Sequence, residues 1–165
     1  MKRRVVVTGI GALTPIGNNV NDTWKGILNH QCGIDLIQSF DTSNMKVKVA
    51  GELKNFEATE YLDKKDVRKM DKFIQYGLIA AKEAIKDSKL EIDSINHDRF
   101  GVVVSSGIGG LGSIEENHQR GLKKGFDRVS PYFIPMTIVN LAAGQIAIAF
   151  KAQGLATVSY THLRA

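Results

Sequence analysis

Hydrophobic and polar positions along this chain alternate between short β-branched runs and longer segments with helical spacing. Two compact runs, Arg4–Thr8 and Phe100–Ser105, predict buried strands that end at glycines. A weaker alternation at Val47–Glu52 predicts a third strand, and Cys32–Ser39 is predicted to be a loop or a short strand. Strands that alternate with helices favour an α/β fold with a mainly parallel sheet covered by helices.

The longest helical pattern runs from residue 63 or 64 to about residue 87 or 88. Its apolar residues recur at spacings of three and four and form one face: Val67, Met70, Ile74, Leu78, Ala81 and Ile85. Shorter helices are predicted at Asp22–Asn29, Ile114–Leu122 and Ile138–Ala152. The last of these is apolar on most sides, so we expect it to be buried between layers.

A basic stripe follows the long helix on the face turned away from its apolar residues: Lys65, Arg68, Lys69 and Lys72. A solvated face is the simplest interpretation of this spacing. However, cations near a helix N-terminus are disfavoured by a few tenths of a kcal/mol, about 0.3–1. An external anion such as an acidic protein helix is therefore the alternative, and complementary charge would mainly raise the association rate.

The composition adds limits to the kind of partner. The 165 residues are 43% hydrophobic and 24% charged, which is typical of one globular α/β domain. The net charge of +5 favours an acidic protein or no special partner, whereas the few aromatic residues (7%) disfavour nucleic acid. Cys32 is the only cysteine, which fits a reducing cytoplasm. The apolar stretch Met136–Lys151 is shorter than the ~20 residues that span a membrane.

The glycines that follow the second predicted strand admit two interpretations. Gly107, Gly109 and Gly112 match G-x-G-x-x-G, so a nucleotide site at Gly107–Gly112 must be considered. The acidic residue expected about 20 positions later is absent, because that stretch reads Tyr132–Pro135. A sharp turn close to another backbone is the preferred interpretation. The scattered histidines and the single cysteine predict no metal site, and no cofactor is expected.

Several long segments together resemble bacterial 3-oxoacyl-acyl-carrier-protein synthases, the β-ketoacyl synthases among the condensing enzymes. The matching segments are Arg3–Gly11, Phe40–Ser43, Arg68–Asp71, Phe73–Gly77, Ser105–Leu111, Glu115–His118 and Ser130–Asn140. The resemblance implies a thiolase-like fold, with residues 1–158 as an incomplete N-terminal β-ketoacyl synthase domain and residues 159–165 as an aberrant tail. It also implies a homodimer for the full-length family and a cytoplasmic location.

The family's reaction is a decarboxylating Claisen condensation of an acyl thioester with malonyl carrier protein in fatty acid biosynthesis. Its nucleophile is the cysteine of a Thr-Ala-Cys segment that follows a glycine matching Gly154. In this chain Thr161 fits, but His162 and Leu163 stand where alanine and cysteine are expected. The family's two catalytic histidines belong to its second half. The resemblance thus implies an acyltransferase by family, and a chain that by itself contains no catalytic residue and is inactive.

The resemblance does imply binding residues. Lys65, Arg68 and Lys69 match the helix that docks acyl carrier protein, which is strongly acidic. Ile108 and Phe133 resemble residues of the acyl pocket near the dimer interface, with ordinary core packing as the alternative. Two other functions stay open: a non-catalytic module that binds acyl carrier protein, and a nucleotide-binding protein that uses Gly107–Gly112.

Overall fold

The computed structural model describes residues 3–158, which fall into two compact units. Of the described residues, 3–57 and Ile79–Leu90 form the first unit, and Ala58–Leu78 and 91–158 form the second. Helix α3, Lys72–Ser88, contributes residues to both units. Helices and short strands are interspersed along the chain, and the predicted α/β class is confirmed.

The first unit contains helix α1 (Val20–Leu28) and an antiparallel pair of strands, β1 (Ile34–Leu36) and β2 (Val49–Gly51). Asn19 is the N-cap of α1, because its side chain accepts a hydrogen bond from the backbone N–H of Asp22. These elements confirm the predicted helix and the predicted strand within residues 47–52, and they show that the mixed segment at residues 32–39 is a short strand.

The β-branched run at residues 4–8 was predicted to be a buried strand, and this prediction is wrong. In the part of the chain that the structure describes, the run belongs to neither of the two sheets, and Val5 and Val7 are 91% and 81% exposed. A β-branched run forms a strand only where a neighbouring strand takes its backbone hydrogen bonds. The described residues place no such strand beside it.

Carboxylates of α3 bind the backbone that follows this run. Glu83 Oε2 accepts a hydrogen bond from Ala12 N at 2.9 Å, and Glu83 Oε1 accepts one from Val20 N at 2.9 Å. Asp87 Oδ2 accepts a further bond from Ile10 N at 2.9 Å. Between these bonds the chain passes so close to α3 that a Cβ on Gly11 would lie 1.9 Å from the carbonyl oxygen of Ala80. The amino-terminal segment is thus held by a helix through side chains.

The second unit contains helices α2 (Lys64–Val67), α4 (Leu111–Lys124), α5 (Phe133–Thr137) and α6 (Leu141–Ala149). Strands β3 (Val102–Val103) and β4 (Ala156–Thr157) pair in parallel, with Val102 opposite Ala156. Helices α4 to α6 form the crossover between them, as parallel strands require. The buried apolar residues of this unit include Leu62, Met70, Ile74, Leu78, Val102, Ala142, Ala143 and Ile146.

The prediction of one helix over residues 138–152 is only partly correct. Helix α6 is shorter, and its buried residues Ala142, Ala143, Ile146 and Ala147 form a single stripe. Ile148, on another side, is 72% exposed. Residues 141–147 are all buried or half-buried, so the helix is buried as expected over most of its length, and the expectation fails only at its C-terminal residues Ile148 and Ala149. Among the described residues, no helix combines the length and hydropathy that crossing a membrane would require.

Glu83→Ala is expected to free the backbone that the carboxylate holds. Two amides lose a charged acceptor, so the amides of Ala12 and Val20 should exchange with deuterium faster. The free energy of unfolding should fall by about 1–3 kcal/mol. Lys86→Ala, an exposed change on the same helix, is the control. Unchanged exchange at both amides in Glu83→Ala would contradict the assignment.

Candidate functional site

The basic stripe lies at a break between two helices, where a single long helix was predicted. Helix α2 ends at Val67, and α3 begins at Lys72. The buried amide of Gln75 stabilises the break, since its Nε2 donates hydrogen bonds to the carbonyl oxygens of Met70 at 2.8 Å and Val67 at 3.1 Å. The prediction of one continuous helix is wrong because the Met70 carbonyl bonds to a side chain instead of to the next helical turn, and the Val67 carbonyl is shared between that side chain and Met70 N at 3.4 Å.

The four basic residues therefore belong to different local structures. Lys65 lies in α2, Arg68 is its C-cap, Lys69 lies in the break, and Lys72 opens α3. All four are exposed, as a solvated face requires. We call Lys65, Arg68 and Lys69 the basic surface.

Two neighbours modify Lys69 within this surface. Its Nζ lies 3.9 Å from Asp66 Oδ1, and it lies 5.7 Å from the ring centroid of Tyr132. An exposed ion pair of this kind contributes at most about 1 kcal/mol, and an exposed cation–π contact about 0.5–1 kcal/mol. Both are weak enough for Lys69 to exchange them for an acidic partner.

The glycine run forms a tight turn into α4. Gly109 has a φ of +86°, and a Cβ at this position would lie 2.4 Å from the carbonyl oxygen of Thr137. A Cβ on Gly110 would lie 2.2 Å from the carbonyl oxygen of Met136. By contrast, a Cβ on Gly107 or on Gly112 would meet no atom within 4 Å. The geometry supports the preferred interpretation of a turn close to another backbone.

An internal carboxylate occupies the start of α4. Asp71 Oδ2 accepts hydrogen bonds from Ser113 N at 3.1 Å and from Ser113 Oγ at 2.6 Å. A second anion within about 4 Å of this carboxylate would cost roughly 1–4 kcal/mol, which exceeds the ~0.3–1 kcal/mol that the helix macrodipole offers. The geometry therefore argues against the nucleotide-binding alternative at Gly107–Gly112.

The two residues predicted to line an acyl pocket lie in different cavities of the second unit. Phe133 lines a cavity of about 370 Å³ together with Ile114, Asn117, His118, Phe126 and Val129. Ile108 is 67% exposed and lines a more open cavity of about 740 Å³ that includes Val139 and Val158. Ile114 lines both cavities. The structure thus does not bring Ile108 and Phe133 together in one pocket.

Ser113 and Asn117 are polar residues of this site that the sequence analysis did not select. Both face inward from α4 and are 5% and 3% exposed. Asn117 Nδ2 donates to the carbonyl oxygen of Ser113 at 2.8 Å, and its Oδ1 accepts from Ser130 N at 3.0 Å. Their spacing with Gly121, four residues each time, is a helical stripe of small and polar residues, and this was the signal that could have revealed them.

The segment before β4 is fixed by contacts with residues 93–100. Gly154 N donates to the carbonyl oxygen of Phe100 at 2.9 Å, and Lys151 Nζ donates to Asp93 Oδ1 at 2.7 Å. The Lys151 hydrogen bond and charge lower the pKa of the exposed Asp93 carboxyl. The position of Leu163, where the family's cysteine is expected, lies outside the described residues. Among residues 3–158, no group of three potential metal-ligating side chains occurs.

Comparison with solved structures identifies the class of fold. The chain superposes on the ishigamide ketosynthase/chain length factor with a TM-score of 0.87 at 24% sequence identity, covering 98% of this chain and 40% of that one. It also matches the ketosynthase of the AntDE:AntF complex, described as a type II PKS acyl-carrier protein with its ketosynthase bound to the hexaketide. That match has a TM-score of 0.74 and 27% identity, and it covers 93% of this chain and 42% of that one. The predicted thiolase-like α/β fold of the ketosynthases is confirmed.

Sequence comparison gives the family. The family model described as "Beta-ketoacyl synthase, N-terminal domain" matches residues 2–162, so this chain belongs to the β-ketoacyl synthase family. The 3-oxoacyl-[acyl-carrier-protein] synthase 2 of Vibrio cholerae serotype O1 is 52% identical over 147 residues, which are 89% of this chain and 36% of that protein. The Staphylococcus aureus (strain COL) protein of the same name is 49% identical over 152 residues, 92% of this chain and 37% of that protein. The chain thus spans little more than a third of these curated relatives.

Gly109→Ala is expected to destabilise the second unit. The added Cβ meets the Thr137 carbonyl and the positive φ disfavours alanine, so the free energy of unfolding should fall by about 2–4 kcal/mol. Urea denaturation followed by circular dichroism measures this. Gly107→Ala is the matched control and should change it by less than about 1 kcal/mol, since its Cβ meets no atom within 4 Å. Equal effects of the two substitutions would contradict the tight-turn assignment.

Proposed function

We propose that this chain is the carrier-docking and acyl-binding part of an acyltransferase that condenses acyl and malonyl thioesters in fatty acid biosynthesis. The family match over residues 2–162 supports the reaction class. The single observation that carries the docking role is the exposed basic surface of Lys65, Arg68 and Lys69 at the break between α2 and α3. The partner is acyl carrier protein, whose acidic character complements this surface.

In the proposed reaction of the whole protein, a cysteine thiolate attacks the acyl thioester of the carrier, the bond to the carrier's sulfur breaks, that sulfur leaves as a thiolate, and the acyl group becomes a thioester of the cysteine. Malonyl carrier protein then loses carbon dioxide, and the electron pair of the broken C–C bond forms an enolate. The enolate carbon attacks the thioester carbonyl, the C–S bond breaks, and the cysteine leaves as a thiolate. The residues in this chain that serve these steps bind the carrier and the acyl chain and do not react.

The acyl chain is proposed to lie against Phe133 and Ile108. The cavity beside Phe133 is lined mainly by apolar side chains and has a volume of about 370 Å³, which suits a short aliphatic chain. Ile108 lines the neighbouring open cavity, and Ile114 borders both. We propose that the longer protein is a homodimer, is cytoplasmic and binds neither nucleic acid nor membrane.

Residues 1–158 are proposed to be an incomplete N-terminal domain. Two observations support this: the exposed Val5 and Val7, and the 36% share of the Vibrio cholerae relative that the chain covers. Residues 159–165 are proposed to be an aberrant tail. A non-catalytic carrier-binding module is the second candidate function, and it is favoured by Leu163 at the position where the family has its cysteine. Both candidates require carrier docking, and only the longer protein would catalyse condensation.

Carrier docking is expected to depend on the charge of the basic surface. The double substitution Lys65→Glu/Arg68→Glu should weaken binding of acyl carrier protein at least about tenfold, because like charges then face each other. Fluorescence anisotropy with labelled carrier protein, at several salt concentrations, measures the Kd. The wild-type Kd should rise steeply with salt.

Lys123→Glu/Lys124→Glu is the matched control, since it reverses the same number of charges at the end of α4. It should leave the Kd within about threefold of the wild type, as expected of charges remote from the contact. Equal weakening by the two double variants would show that binding follows net charge alone, and the docking surface would then be rejected.

A further inference from the structure

Three polar side chains, two of them buried and one half-buried, connect the basic surface to the cavity beside Phe133. They are Asp71, Ser113 and Asn117, and the reaction described above uses none of them. The connection lies wholly within the second unit. It begins two residues after Lys69 and ends at a residue that lines the cavity.

At its first end, the connection fixes the backbone of the basic surface. Asp71 follows Lys69 and Met70 directly, and its carboxylate accepts both the backbone N–H and the hydroxyl of Ser113. Gln75 also bonds to this segment, since its Nε2 donates to the Met70 carbonyl oxygen at 2.8 Å. The basic side chains thus extend from a backbone that is tied to α4 by two hydrogen bonds to one oxygen.

At its second end, the connection enters the cavity. Asn117, one helical turn after Ser113, donates to the Ser113 carbonyl oxygen and accepts from Ser130 N. Asn117 also lines the cavity together with Phe133. Ser130, whose backbone N–H bonds to Asn117, is the first residue of the segment that leads to Phe133. Filling the cavity therefore acts directly on a side chain that is bonded to both α4 and this segment.

The hydrogen bonds of this connection leave little freedom for independent movement of its ends. Ser113 and Asn117 are 5% and 3% exposed, and among residues 3–158 no buried side-chain nitrogen or oxygen lacks a hydrogen-bond partner. A buried polar network in which every member is satisfied favours one arrangement over all others. A shift at either end must then either move the other end or break a buried bond.

We infer that Asp71, Ser113 and Asn117 are positioning residues that couple carrier docking at the basic surface to occupation of the cavity beside Phe133. The inference rests on the proposed function, since it assumes an acidic carrier at one end and an aliphatic chain at the other. An acyl chain in the cavity holds Asn117, and with it α4, in the position where Ser113 bonds to Asp71. The bound chain therefore lowers the Kd of carrier docking. By thermodynamic reciprocity, docking tightens binding in the cavity by the same factor.

The test uses the complete chain, acyl carrier protein without an acyl group, and octanoate as the probe of the cavity. Anisotropy gives the Kd of the carrier with and without saturating octanoate, and calorimetry gives the Kd of octanoate with and without the carrier. In the wild type each ligand should lower the Kd of the other by the same factor, about fivefold. Asp71→Asn should reduce this factor to below about twofold, since a neutral amide oxygen accepts the two Ser113 bonds more weakly than a carboxylate oxygen does.

Asp66→Asn is the matched control, because it removes one negative charge beside Lys69 without touching the buried connection. It should keep the full coupling factor. Ser113→Ala removes the hydroxyl donor, retains the backbone N–H, and should also reduce the factor. Ser113→Ala replaces Asp71→Asn as the test variant if circular dichroism shows that Asp71→Asn does not fold.

The outcomes separate this inference from the proposed function. If the wild-type chain binds carrier protein in a salt-dependent manner but octanoate leaves that Kd unchanged, the coupling is rejected and the docking role stands. The coupling is also rejected if Asp71→Asn and Ser113→Ala both fold and retain the wild-type factor. If the wild-type chain does not bind carrier protein, the proposed function fails and the coupling fails with it.

Discussion

The carboxylate of Asp71 at the start of α4 is the interaction on which the candidate site depends. Helix α4 has a glycine as its N-cap and no capping side chain of its own, so its first amides need an acceptor from elsewhere in the chain. Asp71 supplies that acceptor, and as an anion it also complements the positive end of the helix macrodipole. A glycine-rich turn at a helix start commonly binds an external anion. Here the carboxylate of Asp71 lies at the start of α4 in place of an external anion, and it joins α4 to the segment that carries the basic surface.

The break between α2 and α3 follows from the same arrangement. In a continuous helix, Asp71 would lie in the middle of a regular turn, and the carbonyl oxygens of Val67 and Met70 would bond to backbone amides further along. Instead Gln75 takes both carbonyls, and Asp71 extends toward α4. The two polar bonds to Gln75 and the bonds to Ser113 compensate for the lost helical bonds. As a result, Arg68 and Lys69 project from a cap and a turn beside Lys65 of α2, so the basic surface is not limited to one helix face.

Local pattern predicted much of this fold, and it failed where distant residues decide the structure. The apolar face with Met70, Ile74 and Leu78 is buried as its spacing predicts, and the helix around α4 lies where expected. The break at residues 68–71 was missed because helical spacing continues across it, and only the side-chain bonds of Gln75 and Asp71 interrupt it. The run at residues 4–8 was assigned to a strand from its β-branched residues, although a strand also needs a partner. The family was recognised from long matching segments, whereas Ser113 and Asn117 were missed because their roles depend on contacts with Asp71 and Ser130.

The most direct test of the account is to map the residues of this chain that respond to acyl carrier protein, by amide chemical shifts of labelled protein. The account predicts that shifts are largest at residues 64–71 and extend through Ser113 to Ser130, with little change at Gly107. Shifts confined to residues 107–112, or spread over the lysines of both units alike, would contradict it. The first pattern would indicate an anion site at the glycine turn, and the second would indicate binding by net charge.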